Sequence, residues 1–191
     1  HTYCGNQKQK LEDLDRYEEN FRRAKAEVEK SRAQLEIVSD KLSVIRKKYS
    51  QMLTDKIIEG LKDLNFLDVQ FHIDFQRKKE YTDNGFDDIE YEISTNPGES
   101  VKPLGRIVSG GELSRIMLAI KAILADRDQI ETLIFDEIDV GISGRTAQKV
   151  SEKMSFIGRN HQVICITHLA QIAAMADTHY AIAKHSEDRV T

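Results

Sequence analysis

The sequence predicts an α/β domain with a mainly parallel sheet and a small antiparallel sheet, preceded by a long coiled-coil helix. Three observations carry this: an apolar heptad seam near the start, a switch to period-2 alternation after it, and short apolar runs alternating with helical patterns in the second half. The boundaries that follow are 1–65 for the arm and 66–191 for the α/β part. Within the latter, 66–108 holds the antiparallel strands and 109–191 the parallel ones.

The arm is predicted first. From Leu14 the spacing alternates three and four through Tyr17, Phe21, Ala24, Val28, Ser31, Leu35, Val38, Leu42, Ile45, Tyr49 and Met52, and all but Ser31 are apolar. Flanking positions such as Glu18, Lys25, Arg32, Lys41 and Arg46 are charged, as a coiled-coil seam with solvated shoulders requires. A helix from about Asn6 to Leu64 would run roughly 90 Å at about 1.5 Å per residue. So narrow a seam needs a partner helix. No second heptad segment occurs in the sequence, so the partner is another chain or a part of the protein outside it.

Val69, Phe71, Ile73 and Phe75 then alternate with polar residues as one half-buried strand, with His72 on its solvent side as an ordinary surface residue. Asn84-Gly85 is a hairpin signal, and Ile89, Tyr91 and Ile93 alternate as the returning strand until "NPGE" at 96–99. Next come a nearly all-round apolar helix at 112–125, a buried strand "TLIFDE", a helix near 145–158, a buried strand "QVICITH", a short helix at 169–176 and a strand "THYAIAK". Alternation of this kind predicts parallel strands with helices on their faces. Leu113, Ile116, Met117, Ile120 and Leu124 follow helical core spacing.

Composition sets outer limits. The chain of 191 residues is 40% hydrophobic and 31% charged, which suits one globular domain plus an extended element. A net charge of −4 is no nucleic-acid signature, and clusters such as Arg22-Arg23 and Arg46-Lys47-Lys48 read as solvated coiled-coil surface. Cys4 and Cys165 form no metal-binding or disulfide pattern, a reducing cytosol is compatible, and Cys165 between isoleucines reads as an inert small hydrophobe. There is neither a membrane-spanning apolar run nor a signal peptide, so no membrane is expected. The chain opens on His1 and reads as a piece of a longer protein.

Two stretches carry chemistry. In "VSGGELSR" (108–115), Ser109 with Glu112 three residues on is a capping box; two glycines at a helix start also leave N–H groups open to a phosphate. Arg115 reaches either phosphate or water. Both apolar strands end in reactive groups, Asp136-Glu137 and Thr167-His168, and parallel strands would bring these to the carboxyl edge where α/β sheets bind ligands. Consecutive carboxylates at a strand end are costly to bury unpaired and are best met by a cation or polar ligand; a turn or helix cap is the plainer reading.

These stretches resemble known motifs. "VSGGELSR" resembles the signature motif of ABC-type ATPases, "LIFDEIDVGISG" their Walker B strand and D-loop, and "ITHLAQIAAMAD" their switch-histidine region, in the family's order. Along essentially the whole chain, "ISTNPGESVKPLGRIVSGGELSRIMLAIK", "FDEIDVGISGRTAQKV" and "THLAQIAAMAD" are similar to the RecN family of bacterial SMC-like DNA-repair ATPases.

The resemblance implies the returning coiled-coil arm and the C-terminal half of an ABC-type head, a half-head with ATP and Mg2+ as cofactors. It implies that Asp136 helps hold Mg2+, Glu137 polarises the attacking water, His168 contacts the γ-phosphate and Asp139 in the D-loop communicates across a dimer interface. Ser109, Gly110, Gly111 and Glu112 would form the signature, acting on nucleotide bound to a second head. No GxxxxGK[ST] occurs, so the phosphate cradle is expected in a missing N-terminal half, and this chain alone is expected to hydrolyse nothing. The implied partners are that half, a second head in an ATP-dependent homodimer, and DNA, in the bacterial cytoplasm near the nucleoid. The alternatives are another SMC-like or RecF-like ATPase, and a coiled-coil interaction module without catalysis.

Overall fold

The computed structural model describes residues 2–107, 109–127 and 129–183, with the side chains of the first helix described from Arg16 onward. Two compact units partition the chain: residues 1–50 with 75–88, and residues 51–74 with 89–191. The element order is α1 (Thr2–Lys62), β1 (Gln70–Thr82), β2 (Gly85–Ser94), β3 (Lys102–Pro103), a 3-10 turn (Leu104–Arg106), α2 (Gly110–Leu124), β4 (Thr132–Phe135), α3 (Gly144–Ile157), β5 (Gln162–Cys165) and α4 (Ala170–Ala173).

In the first unit, α1 carries the heptad seam and, on another face, the tip of the β1–β2 hairpin. Tyr17, Phe21, Val28, Leu35, Val38, Ile45 and Tyr49 are exposed, so no described residue supplies the helix that their spacing calls for. Ser39 and Ser43 are buried instead, because small side chains let the hairpin turn approach closely. The two turn residues are Asp83 and Asn84, and Gly85 follows at φ +83°, a left-handed conformation that glycine adopts without steric cost. Asp87 fastens the contact: Ser43 Oγ donates to it at 2.7 Å and Arg46 Nη1 at 2.9 Å. Burial raises the Asp87 carboxyl pKa, but the Ser43 and Arg46 bonds lower it further, leaving it below the usual carboxylate range. Exposed Arg77 lies 3.0 Å from Glu36 and over the ring of Phe86.

In the second unit, α1 ends on a Schellman motif. Asn65 takes φ +71°, its N–H donates to the Lys62 carbonyl and the Phe66 N–H to that of Leu61. Ile57, Leu61 and Leu64 enter the core, as do Val69, Phe71 and Ile73 of the period-2 stretch and Ile93 of β2. Ile89 and Tyr91, expected beside Ile93, stay exposed, although Tyr91 meets the Phe71 ring at 5.7 Å. The three-stranded sheet runs β1-β2-β3, with β2 and β3 antiparallel.

β4 and β5 pair in parallel with Thr132 opposite Gln162 and Phe135 opposite Cys165, so both strands end at one edge. Ile116, Leu118 and Ala119 of α2 and Ala147, Val150 and Ile157 of α3 are buried. Two expectations need correction. The strands predicted as buried are open on one face: Ile134, Ile164 and Ile166 are 66%, 45% and 53% exposed. An apolar run looks the same whether one or both faces are covered, and no described element lies over this one. The stretch "THYAIAK" is not a strand over 178–183, with Lys184 outside the described residues. It pairs with neither β4 nor β5, and a strand without a ladder partner leaves its backbone to water; Tyr180 and Ile182 are exposed.

Asp87→Ala leaves the buried Ser43 hydroxyl without its acceptor and half-buried Arg46 with only the Asn84 carbonyl, so urea denaturation of the hairpin–helix unit is expected to show a loss of about 1–3 kcal/mol. Arg77→Ala, on an exposed pair, is expected to cost roughly 0.5 kcal/mol or less. Because the folded pKa of Asp87 is depressed, its stabilisation is present above the unfolded value of about 3.9 and is lost as pH falls below it. The Asp87→Ala difference should therefore shrink in acid.

Candidate functional site

The site is built where the loop after β4 meets the start of α2. Asp136 and Glu137 are exposed at the strand's carboxyl end, while Ile138 and Asp139 turn inward. Glu137 sits at φ +57°, unusual for a residue with a Cβ and costing on the order of 1–2 kcal/mol. Its N–H donates to Asp136 Oδ1 at 2.9 Å, and its carbonyl accepts from the Val140 N–H at 3.1 Å, which closes the turn.

The first turns of α2 clamp this loop. Ser114 Oγ donates to the Asp136 carbonyl at 2.7 Å, and Arg115 Nη1 donates to the carbonyls of Val140 at 2.8 Å and Ile138 at 3.4 Å. Arg115 is buried beneath Phe66, its guanidinium 5.5 Å from the ring, and burial lowers its pKa against the opposing pull of Glu112. The sequence left Arg115 between phosphate and water; it holds backbone instead. Gly110 and Gly111 are where α2 touches the loop. A Cβ on Gly110 would overlap the Glu137 carboxylate, and one on Gly111 would lie 2.9 Å from the Glu137 carbonyl oxygen and 3.1 Å from Val140 Cβ.

Ser109 is the N-cap of α2, accepting from the Glu112 N–H at 3.4 Å through its Oγ. The capping geometry is thus present in this chain by itself. Through this cap and the two glycines, Ser109, Gly110, Gly111 and Glu112 adjoin the Asp136-Glu137 turn.

Asp139 gathers the end of the second strand. Its Oδ2 accepts from Thr167 Oγ1 at 2.5 Å and from the His168 N–H at 2.8 Å, and lies 3.1 Å from His168 Nδ1. The Thr167 hydroxyl in turn accepts from the Leu169 N–H at 3.1 Å. Burial pushes the Asp139 carboxyl up, but the Thr167 and His168 bonds and the nearby imidazole bring it below the ordinary value. Burial, aided by Asp139 and Asp136, raises Cys165 to about 11, consistent with an inert thiol.

Sequence reasoning listed the acids and the histidine but missed the Asp139–Thr167 bond and the clamp made by Ser114 and Arg115. The readable signal was weak: an acid two residues past the carboxylate pair, and a threonine before the histidine. Among the described residues no group of three or more His, Cys, Asp or Glu side chains is arranged to hold a metal. Two exposed carboxylates suit Mg2+ only where phosphate and water complete its shell. No helix among the described residues is long and apolar enough to cross a membrane.

No family model matches the sequence. The chain is 42% identical to the DNA repair protein RecN of Halalkalibacterium halodurans, 36% to that of Bacillus subtilis and 40% to that of Treponema pallidum, over 95%, 97% and 99% of its length. The chain is a RecN-like segment. It spans about one third of the length of those RecN proteins, 33%, 35% and 34% respectively. The fold agrees with a solved Smc head domain from Pyrococcus furiosus, crystallised with an extended coiled coil and bound to the C-terminal domain of ScpA. The match has a TM-score of 0.51 and 22% identity, covering 74% of this chain and 34% of that one.

The two glycines of this RecN-like segment should differ in tolerance. Gly110→Ala meets a carboxylate that can swing away, so thermal unfolding is expected to shift little. Gly111→Ala meets backbone and a Cβ that cannot, and is expected to destabilise by about 1–3 kcal/mol.

Proposed function

We propose that the chain is the returning coiled-coil arm and C-terminal half-head of a RecN-like SMC ATPase that acts in DNA double-strand-break repair, with arm and head dividing at residues 65 and 66. The observation that carries this is the in-register parallel pair β4–β5, whose common edge presents Asp136 and Glu137 beside Thr167 and His168, which follow the end of β5. Together with 36–42% identity to RecN proteins along nearly the whole chain, that edge supports an ATP-hydrolysing site.

Each residue then has a role. Asp136 contributes a carboxylate oxygen to Mg2+, which when bound neutralises charge on the phosphates. Glu137 orients and accepts a proton from the attacking water, a contribution of about 10²- to 10⁴-fold. His168, exposed at the strand end, contacts the γ-phosphate. Ser109, Gly110, Gly111 and Glu112 face nucleotide held by a second head, where the helix N-terminus favours an anion, and Asp139 lies in the loop between the two heads. Such chemistry depends on positioning more than on any covalent nucleophile.

The isoleucine face of β4–β5 and the seam of α1 are the surfaces that a P-loop-bearing N-terminal half and its outgoing helix would cover. ATP-driven pairing of two heads, coupled through the arms to DNA beside the bacterial nucleoid, completes the cycle. Hydrolysis releases the heads.

The chain alone is expected to show no ATP turnover, and turnover is expected when the N-terminal half is co-expressed. In that reconstituted protein Glu137→Gln should accumulate ATP-bound dimers in size-exclusion chromatography; unchanged turnover would remove Glu137 as the base. Ser109→Arg should abolish ATP-dependent dimerisation with the fold intact. A loss of about 1 kcal/mol in stability with turnover preserved would instead leave Ser109 as a cap only.

A further inference from the structure

We propose that Asp139 is a positioning residue that fixes His168 as the Nδ1–H tautomer and presents Nε2 outward to the ligand. This rests on the reading of His168 as a phosphate contact, and deepens it by assigning which ring atom is offered and what holds it there.

The geometry is one-sided. Asp139 is 4% exposed at its side chain and His168 75%, so the carboxylate is a fixed anchor and the imidazole the accessible end. The carboxyl is held low by its bonds, hence ionised, and an ionised carboxylate only accepts. Its Oδ2 lies 3.1 Å from Nδ1; an unprotonated Nδ1 there would set two lone pairs against each other. The proton therefore belongs on Nδ1, against the ordinary preference of a free neutral histidine for Nε2–H.

The anchor is itself fixed from two directions. Thr167 Oγ1 and the His168 N–H both donate to the same Oδ2, and Thr167 is oriented by the Leu169 N–H. The backbone bond binds the carboxylate to the residue whose ring it orients, so ring and anchor move as one. Nε2 is left facing solvent, with a lone pair when the ring is neutral and a proton when it is cationic.

The test reads the tautomer in the nucleotide-free chain, so it holds whether or not the ATPase reading does. Long-range ¹H–¹⁵N correlation spectra would be recorded at about pH 8.5, roughly two units above the ordinary imidazole pKa of about 6.5. A His168→Asn sample identifies the His168 signals among the six histidines. The expected wild-type pattern is a protonated Nδ1 and an unprotonated Nε2. Asp139→Asn and Asp139→Ala should reverse it to mostly Nε2–H, whereas Thr167→Val, which keeps the carboxylate, should retain it. An Nε2–H pattern in the wild type, or the same pattern in wild type and both Asp139 variants, would overturn the proposal. A purely structural Asp139 would shift the melting temperature without moving the tautomer.

Discussion

The grip of α2 on the loop after β4 is the constraint on which the rest of the candidate site depends. Arg115 is a buried cation whose guanidinium donates to the backbone carbonyls at 138 and 140 and lies over Phe66, with Glu112 adding a favourable charge. Its Nε lacks a hydrogen-bond partner among the described residues. Burial lowers the Arg115 pKa despite the pull of Glu112, so the dipoles and the aromatic face compensate the buried charge only in part. The return is geometric. One side chain fixes the turn that sets both Glu137 toward solvent and Asp139 toward His168.

Two residues with a side chain adopt the left-handed conformation to opposite purposes. Glu137 is exposed in a left-handed conformation that its side chain disfavours, whereas Asn65, also left-handed, merely ends a helix where that conformation is common. The first is held by surrounding bonds, the second by a local motif. Strain at an exposed carboxylate, over-determined by Asp136 Oδ1 and Val140 N–H, is the pattern expected of a positioned functional group.

Much of the fold was legible in the residues because its signals are local. The three-four spacing from Leu14 to Met52 falls within α1, the alternation from Val69 to Ile73 supplies buried side chains, and Ser109 caps α2 as its spacing from Glu112 predicted. What failed to be legible is tertiary. Phe135 and Ile134 are equally apolar, yet only Phe135 is buried, since burial depends on what lies above each face. Residues 180–183 are apolar but pair with no described strand. In the site, the type and order of Asp136, Glu137 and His168 were readable, while the bond from Thr167 to Asp139 spans 28 residues and has no periodic trace.

The open face of Ile134, Ile164 and Ile166 has a calorimetric consequence. Three β-branched side chains on and just past two neighbouring strands present apolar surface to solvent, so association that covers the face carries a negative change in heat capacity. The enthalpy of that association would then grow more favourable with each degree of warming, a temperature signature set by a few square nanometres or less of isoleucine rather than by any charged group.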